Sequence, residues 1–115
     1  MRPVTPNERA VIAAIADALP SSQGKAVKAD LALSKIIEMA ADGSRLVFGI
    51  ADYERPKYRG QHPLAVEGTM KDVDGADLHV LLHVDENERL FELELIRWAE
   101  GPVIGPDWAS FKVLR

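Results

Sequence analysis

The chain has 115 residues, 47% apolar and 28% charged, with a formal net charge of −4 and a pI near 5.3. This describes a single domain, 1–115, able to bury a core without disulfides or metals. It contains no cysteine, which excludes disulfide frameworks, thiolate metal sites and cysteine nucleophiles, and its acidity argues against DNA as a partner.

The charge is unevenly placed. Residues 1–60 carry nine Lys or Arg against seven Asp or Glu, whereas residues 61–115 carry five against eleven. The longest apolar stretch, Ala10 to Leu19, contains Asp17 and is too short for a bilayer, so no membrane association is expected. No apolar segment precedes a cleavage site after Met1, and with cysteine absent the expected location is the cytoplasm.

The first expected element is a helix over about 6–19. Thr5 can cap it, Pro6 fits its first turn, and Glu8 stands where a capping box needs its acid. Val11, Ile12, Ile15, Ala18 and Leu19 then form an apolar stripe at helical spacing. Pro20, Ser21, Ser22 and Gly24 read as a break before a second helix over about 25–33, which buries Val27 and Leu31. Strands are expected at 35–40 and 45–50 around the Asp42-Gly43 turn, with a longer helix through Ala40 as the alternative. Residues 51–63 form a long polar connection.

Three more strands, at about 64–71, 76–84 and 89–98, read as a meander, followed by an irregular tail from Gly101. Register follows from the turns. A three-residue loop, Val73-Asp74-Gly75, places Met70 opposite Leu78, Gly68 opposite Val80 and Val66 opposite Leu82. A two-residue turn at Glu86-Asn87 places Leu78 opposite Leu95, Val80 opposite Leu93 and Leu82 opposite Phe91. The expected fold is therefore α+β: two N-terminal helices on one face of a mainly antiparallel sheet of about five strands, in two layers. Asp42-Gly43 and Asp74-Gly75 both follow a methionine-containing strand; shared turn chemistry explains this more simply than a duplicated hairpin.

The other face would present Glu67, Thr69 and Lys71, then Asp77, His79, Leu81 and His83, then Glu92, Glu94, Ile96 and Trp98. Leu81, Glu92, Glu94, Ile96 and Trp98 are the candidate partner-binding residues, because this surface is more apolar than solvation requires. The expected partner is another protein, or a second copy of the chain.

This reading places His79 and Glu94 in one cross-strand row, which makes His79 a candidate general base oriented by Glu94. An exposed structural pair is the simpler explanation. No metal and no cofactor are expected. His79 and His83 sit four residues apart on a strand, roughly 13 Å, too far to share an ion. The Asp72–Gly75 turn has Met70 and Leu81 where a calcium loop needs ligands. Arg55, Lys57 and Arg59, flanking Tyr58, could grip phosphate or RNA, although loops are polar by default.

Several stretches together resemble a family of small bacterial proteins of uncharacterised activity. They are Thr5 to Ala10, Ala26 to Leu31 leading into Lys35-Ile36-Ile37, Asp72 to Gly75, Val80 to Val84, Leu90 to Leu95, and Glu100 to Asp107. The resemblance implies an α+β fold and carries no catalytic residue. It differs at Asp85-Glu86-Asn87-Glu88, where the family often has a DG-type turn. Function is thus read as unknown, the leading expectation being a non-catalytic interaction domain, of which an immunity-type inhibitor would be one version. A small hydrolase or lyase using His79 and Glu94, and phosphate or RNA binding by residues 55–62, are the alternatives.

Overall fold

The capping signal at Thr5 operates as its spacing implies. In the computed structural model, which describes residues 1–57 and 60–114, helix α1 spans Pro6–Ala18. Thr5 Oγ1 accepts the Glu8 N–H at 3.2 Å, and Glu8 Oε1 accepts the Thr5 N–H at 2.9 Å. Glu8 is buried and also takes both terminal nitrogens of Arg2, at 2.9 and 2.7 Å. Helix α2 spans Ser21–Ala32 and begins directly after Pro20, earlier than its apolar pattern suggests. Gly24, read as part of a break, is instead a contact between helices. A Cβ there would lie 2.3 Å from the Ala16 carbonyl oxygen, so only glycine lets the two backbones approach this closely.

Among the described residues the sheet has eight strands: β1 Arg2–Pro3, β2 Ser34–Met39, β3 Arg45–Ile50, β4 His62–Pro63, β5 Glu67–Asp72, β6 Asp77–Val84, β7 Leu90–Arg97 and β8 Pro106–Leu114. Their order is β1-β2-β3-β7-β6-β5-β8, with β4 also on β6 and every pairing antiparallel. The class is α+β, and residues 34–39 are strand rather than helix. Val11, Ile12, Ile15, Val27 and Leu31 of the helices share one core with Phe48, Met70, Leu78, Val80, Leu82, Leu93 and Leu95 of the sheet. Among the described residues no helix is long and apolar enough to cross a membrane.

The tail is not irregular. Strand β8 pairs with β5, and Phe111 lies over Gly68, where a Cβ would stand 2.2 Å from its ring. The ladder slips between Thr69↔Lys112 and Lys71↔Asp107. Because of this bulge, the inward-packed Trp108, Phe111 and Val113 do not follow the two-residue period that marks a strand. The bulge is closed by Ser110, whose hydroxyl accepts the Lys71 N–H at 2.8 Å and donates to the Asp107 carbonyl at 2.6 Å.

The first hairpin has the expected register. Met70 faces Leu78, Gly68 faces Val80, and Gly75 takes a left-handed φ of 86° at the end of the three-residue loop. Beyond Gly68 the edge changes: Leu64, not Val66, donates its N–H to the Leu82 carbonyl, at 2.8 Å.

The second hairpin is shifted by two residues from expectation. Leu78 faces Arg97, Val80 faces Leu95, and Leu82 faces Leu93. Two local features produce the shift. The loop has three residues, closed by Asp85 N–H to the Arg89 carbonyl at 2.8 Å, with Glu88 in the left-handed position at φ 61°. A bulge between His83↔Glu92 and Val84↔Leu90 adds the second step. A shift of two keeps residues 92–96 on their expected faces while changing their neighbours, but past the bulge Leu90 instead of Phe91 joins the core, and Phe91 turns toward Arg55.

Candidate functional site

The sheet face away from the helices is ordered by these registers. His79 lies opposite Thr69 and Ile96; Leu81 lies opposite Glu94; and His83 lies opposite Glu92. The expected His79–Glu94 pair is therefore not formed. His79 Nε2 instead meets Glu67 Oε1 at 3.1 Å, and Glu94 Oε1 meets His83 Nε2 at 3.0 Å. Both are diagonal contacts between adjacent strands.

Trp98 follows β7 and donates its backbone N–H to the Asp77 carbonyl. Its side chain is 71% exposed, yet its ring lies over His79 with centroids 6.3 Å apart and planes inclined by 30°. Ile96, opposite His79, and Leu81, opposite Glu94, are half-buried further along the same face.

Glu92 departs from expectation. It is 3% exposed and bonded through Oε1 to Arg45 Nε at 2.7 Å, so it is not offered to a partner. Arg45 also lies 3.9 Å from Glu38. Beside Glu92, His83 is 8% exposed, and its Nδ1 has no hydrogen-bond partner among the described residues. A buried polar atom left bare costs about 1–3 kcal/mol. One donor atom each from His83, Glu92 and Glu94 lies within 4.8 Å of the other two. His79 and His83 lie four residues apart along β6; the expectation of no metal weighed that pair and not one histidine with two carboxylates of the neighbouring strand.

The 51–63 connection is fastened to the sheet rather than free. Arg55 donates to Asp85 Oδ2 at 2.8 Å and to the carbonyls of Phe48 and Leu90 at 2.6 and 3.1 Å. Its guanidinium also lies 4.4 Å from the Phe91 ring centroid. The β3–β7 ladder runs only as far as Val47↔Glu92. Arg55 thus supplies donors to carbonyls where the two strands part, and it has little left for phosphate. Lys57 is exposed beside it, and Arg59 lies outside the described residues. Ile37, Glu38, Val47, Arg55 and Phe91 line part of a cavity of about 500 Å³ between this connection and the sheet.

Many acids of the C-terminal half are consumed by turns. Asp72 accepts the N–H groups of Val73, Gly105 and Ile104 at 2.9, 2.7 and 2.9 Å, and Arg97 Nη1 at 2.8 Å. Burial opposes its ionisation, but these donors outweigh burial and hold its pKa below the ordinary carboxylate value. Asp74, bonded to both Arg97 terminal nitrogens and to the Ala76 N–H, is lowered to about 2. Asp85 likewise accepts Asn87 and Arg89 N–H groups, the Tyr53 hydroxyl at 2.5 Å and Arg55. Its pKa is lowered despite burial, and that of Tyr53 is raised by its own burial and by Asp85.

Residues 1–106 match the model of a family described as a domain of unknown function (DUF6984), and the chain belongs to that family. Comparisons with curated proteins and with solved structures find no match. Function must therefore be argued from the residues themselves.

Proposed function

We propose that the chain is a protein-interaction module whose β6–β7 face receives a basic protein partner, with Trp98 as the anchor. The carrying observation is the exposure of Trp98 just past the end of β7, its ring backed by His79, with half-buried Ile96 and Leu81 further along the same face. A large aromatic already held against a neighbour loses little freedom on binding, which is how interface anchors gain affinity. Charge favours a basic partner: the partly or fully exposed carboxylates of Glu67, Asp77 and Glu94 share this face, and the chain is net negative.

Trp98→Ala tests the reading, with pull-down from the source cell followed by affinity measurement on the captured protein. The substitution should weaken binding by about 2 kcal/mol, roughly thirty-fold, without altering the unfolding midpoint. Captured partner should also be released as salt is raised. Equal capture by wild type and Trp98→Ala, or capture indifferent to salt, overturns the proposal. So does sedimentation showing that the captured species is only a second copy of the chain.

A further inference from the structure

The cluster formed by His83, Glu92 and Glu94 holds more electron pairs than hydrogens. Glu94 Oε1 accepts from His83 Nε2 when the proton is on that nitrogen, which leaves Nδ1 a bare lone pair, buried and without a partner among the described residues. The proton on Nδ1 instead sets the Nε2 lone pair against a Glu94 oxygen at 3.0 Å, and a cation held between the two relieves that tautomer. Glu92 uses Oε1 for Arg45 and Glu94 uses Oε1 for His83, and the second oxygen of each accepts no hydrogen bond among the described residues. The one guanidinium beside them also faces Glu38, so Arg45 is set against three carboxylates. Surplus acceptors and surplus negative charge at one point call for a cation.

We propose that His83, Glu92 and Glu94 bind a divalent transition-metal cation, for which zinc is the best match. His83 Nε2, the ring nitrogen that faces the carboxylates, forms with Glu92 and Glu94 a borderline N/O donor set, which suits zinc better than calcium or magnesium. Their donor atoms lie within 4.8 Å of one another, a span that small side-chain adjustments bring to a shared ion. Two of the three ligands are buried, and both glutamates project from one strand at i and i+2 with the histidine opposite on its neighbour. Arg45 keeps its contact to Glu92 and acts as a positioning residue, holding the carboxylate in place as outer partners of metal ligands do. Three protein ligands leave a coordination position open. The cavity starts one residue away, since Val47, paired with Glu92, and Glu38, beside Arg45, both line it.

The test uses the full chain, zinc chloride alone as the probe, and isothermal titration with thermal unfolding as a second readout. Wild type should bind one zinc per chain saturably and unfold at higher temperature when loaded. His83→Asn should abolish binding, and Glu94→Gln should weaken it at least tenfold. His62→Asn is the control, because His62 lies in an exposed pair with Glu88 and takes no part in the cluster; it should bind as wild type. Should His83→Asn fail to fold, Glu94→Gln at the partly exposed carboxylate decides the matter. Absence of saturable binding by wild type, or equal zinc affinity in Glu94→Gln, overturns the proposal. Neither result bears on Trp98, which is tested separately.

Discussion

The Asp72 corner and the His83 cluster are made of the same materials, carboxylates around a single guanidinium, on the same sheet. At the corner the arithmetic closes. A carboxylate has about four lone-pair sites, and Asp72 meets four donors, three backbone N–H groups and Arg97. Asp85, at the equivalent position of the next hairpin, also meets four: Asn87, Arg89, Tyr53 and Arg55. At the His83 cluster donors run short, and a ring nitrogen is left buried and bare. A satisfied network specifies structure, whereas an unsatisfied one is where a fold reserves capacity for something else. Three measurements can break or sharpen that contrast.

The largest effect is expected at Asp72. Asp72→Ala leaves the N–H groups of Ile104 and Gly105 without their acceptor and Arg97 with Asp74 as its one carboxylate, and should destabilise the domain by about 2–4 kcal/mol in urea unfolding. A loss below about 1 kcal/mol would show that the corner does not fasten the crossing from β7 to β8.

Acid titration comes next. Folded-state pKa values of Asp72, Asp74 and Asp85 are depressed, so near pH 4 and below the unfolded chain binds more protons and stability falls as pH falls. Their contribution is complete above the unfolded value of about 3.9 and is lost as pH drops through the folded values, near 2 for Asp74. Asp74→Asn should flatten the stability profile between those limits, and an unchanged slope would remove Asp74 from the account.

The smallest effect is expected at the cluster itself. Without metal, Glu94→Gln keeps an acceptor for His83 and should change stability by no more than about 0.5 kcal/mol. A loss approaching that of Asp72→Ala would mean the cluster is structural cement after all, and the contrast between the two regions would collapse.

Much of the fold was legible because its signals are local. The Thr5 capping box, the apolar stripe of α1 and the Asp72-to-Gly75 loop each depend on residues within four positions of one another. The second hairpin was not legible, for a definite reason. Its left-handed residue is Glu88, not glycine, and the loop is held by the Asp85 side chain, whose partners Tyr53 and Arg55 come from 32 and 30 positions away. Strand β8 was hidden because a bulge breaks the spacing of Trp108 and Phe111. Its one clue was Gly68, a small residue in a strand awaiting a large neighbour.

The same division runs through the site. By itself the sequence determined which side chains share the open face, since alternation along β6 and β7 survives any even shift of register. It therefore placed Leu81, Glu92, Glu94, Ile96 and Trp98 together with both histidines. Only the tertiary structure decided who touches whom: a shift of two moved Glu94 from His79 to His83 and brought Glu92 to face His83. Arg45 from β3 then buried and neutralised Glu92, while Trp98 settled over His79. The bulk acidity of the second half was settled in the same way. Asp72, Asp74 and Asp85 are spent inside turns, and the unspent electron pairs collect around His83. Composition counts charges, but only three-dimensional pairing sets how many are left over.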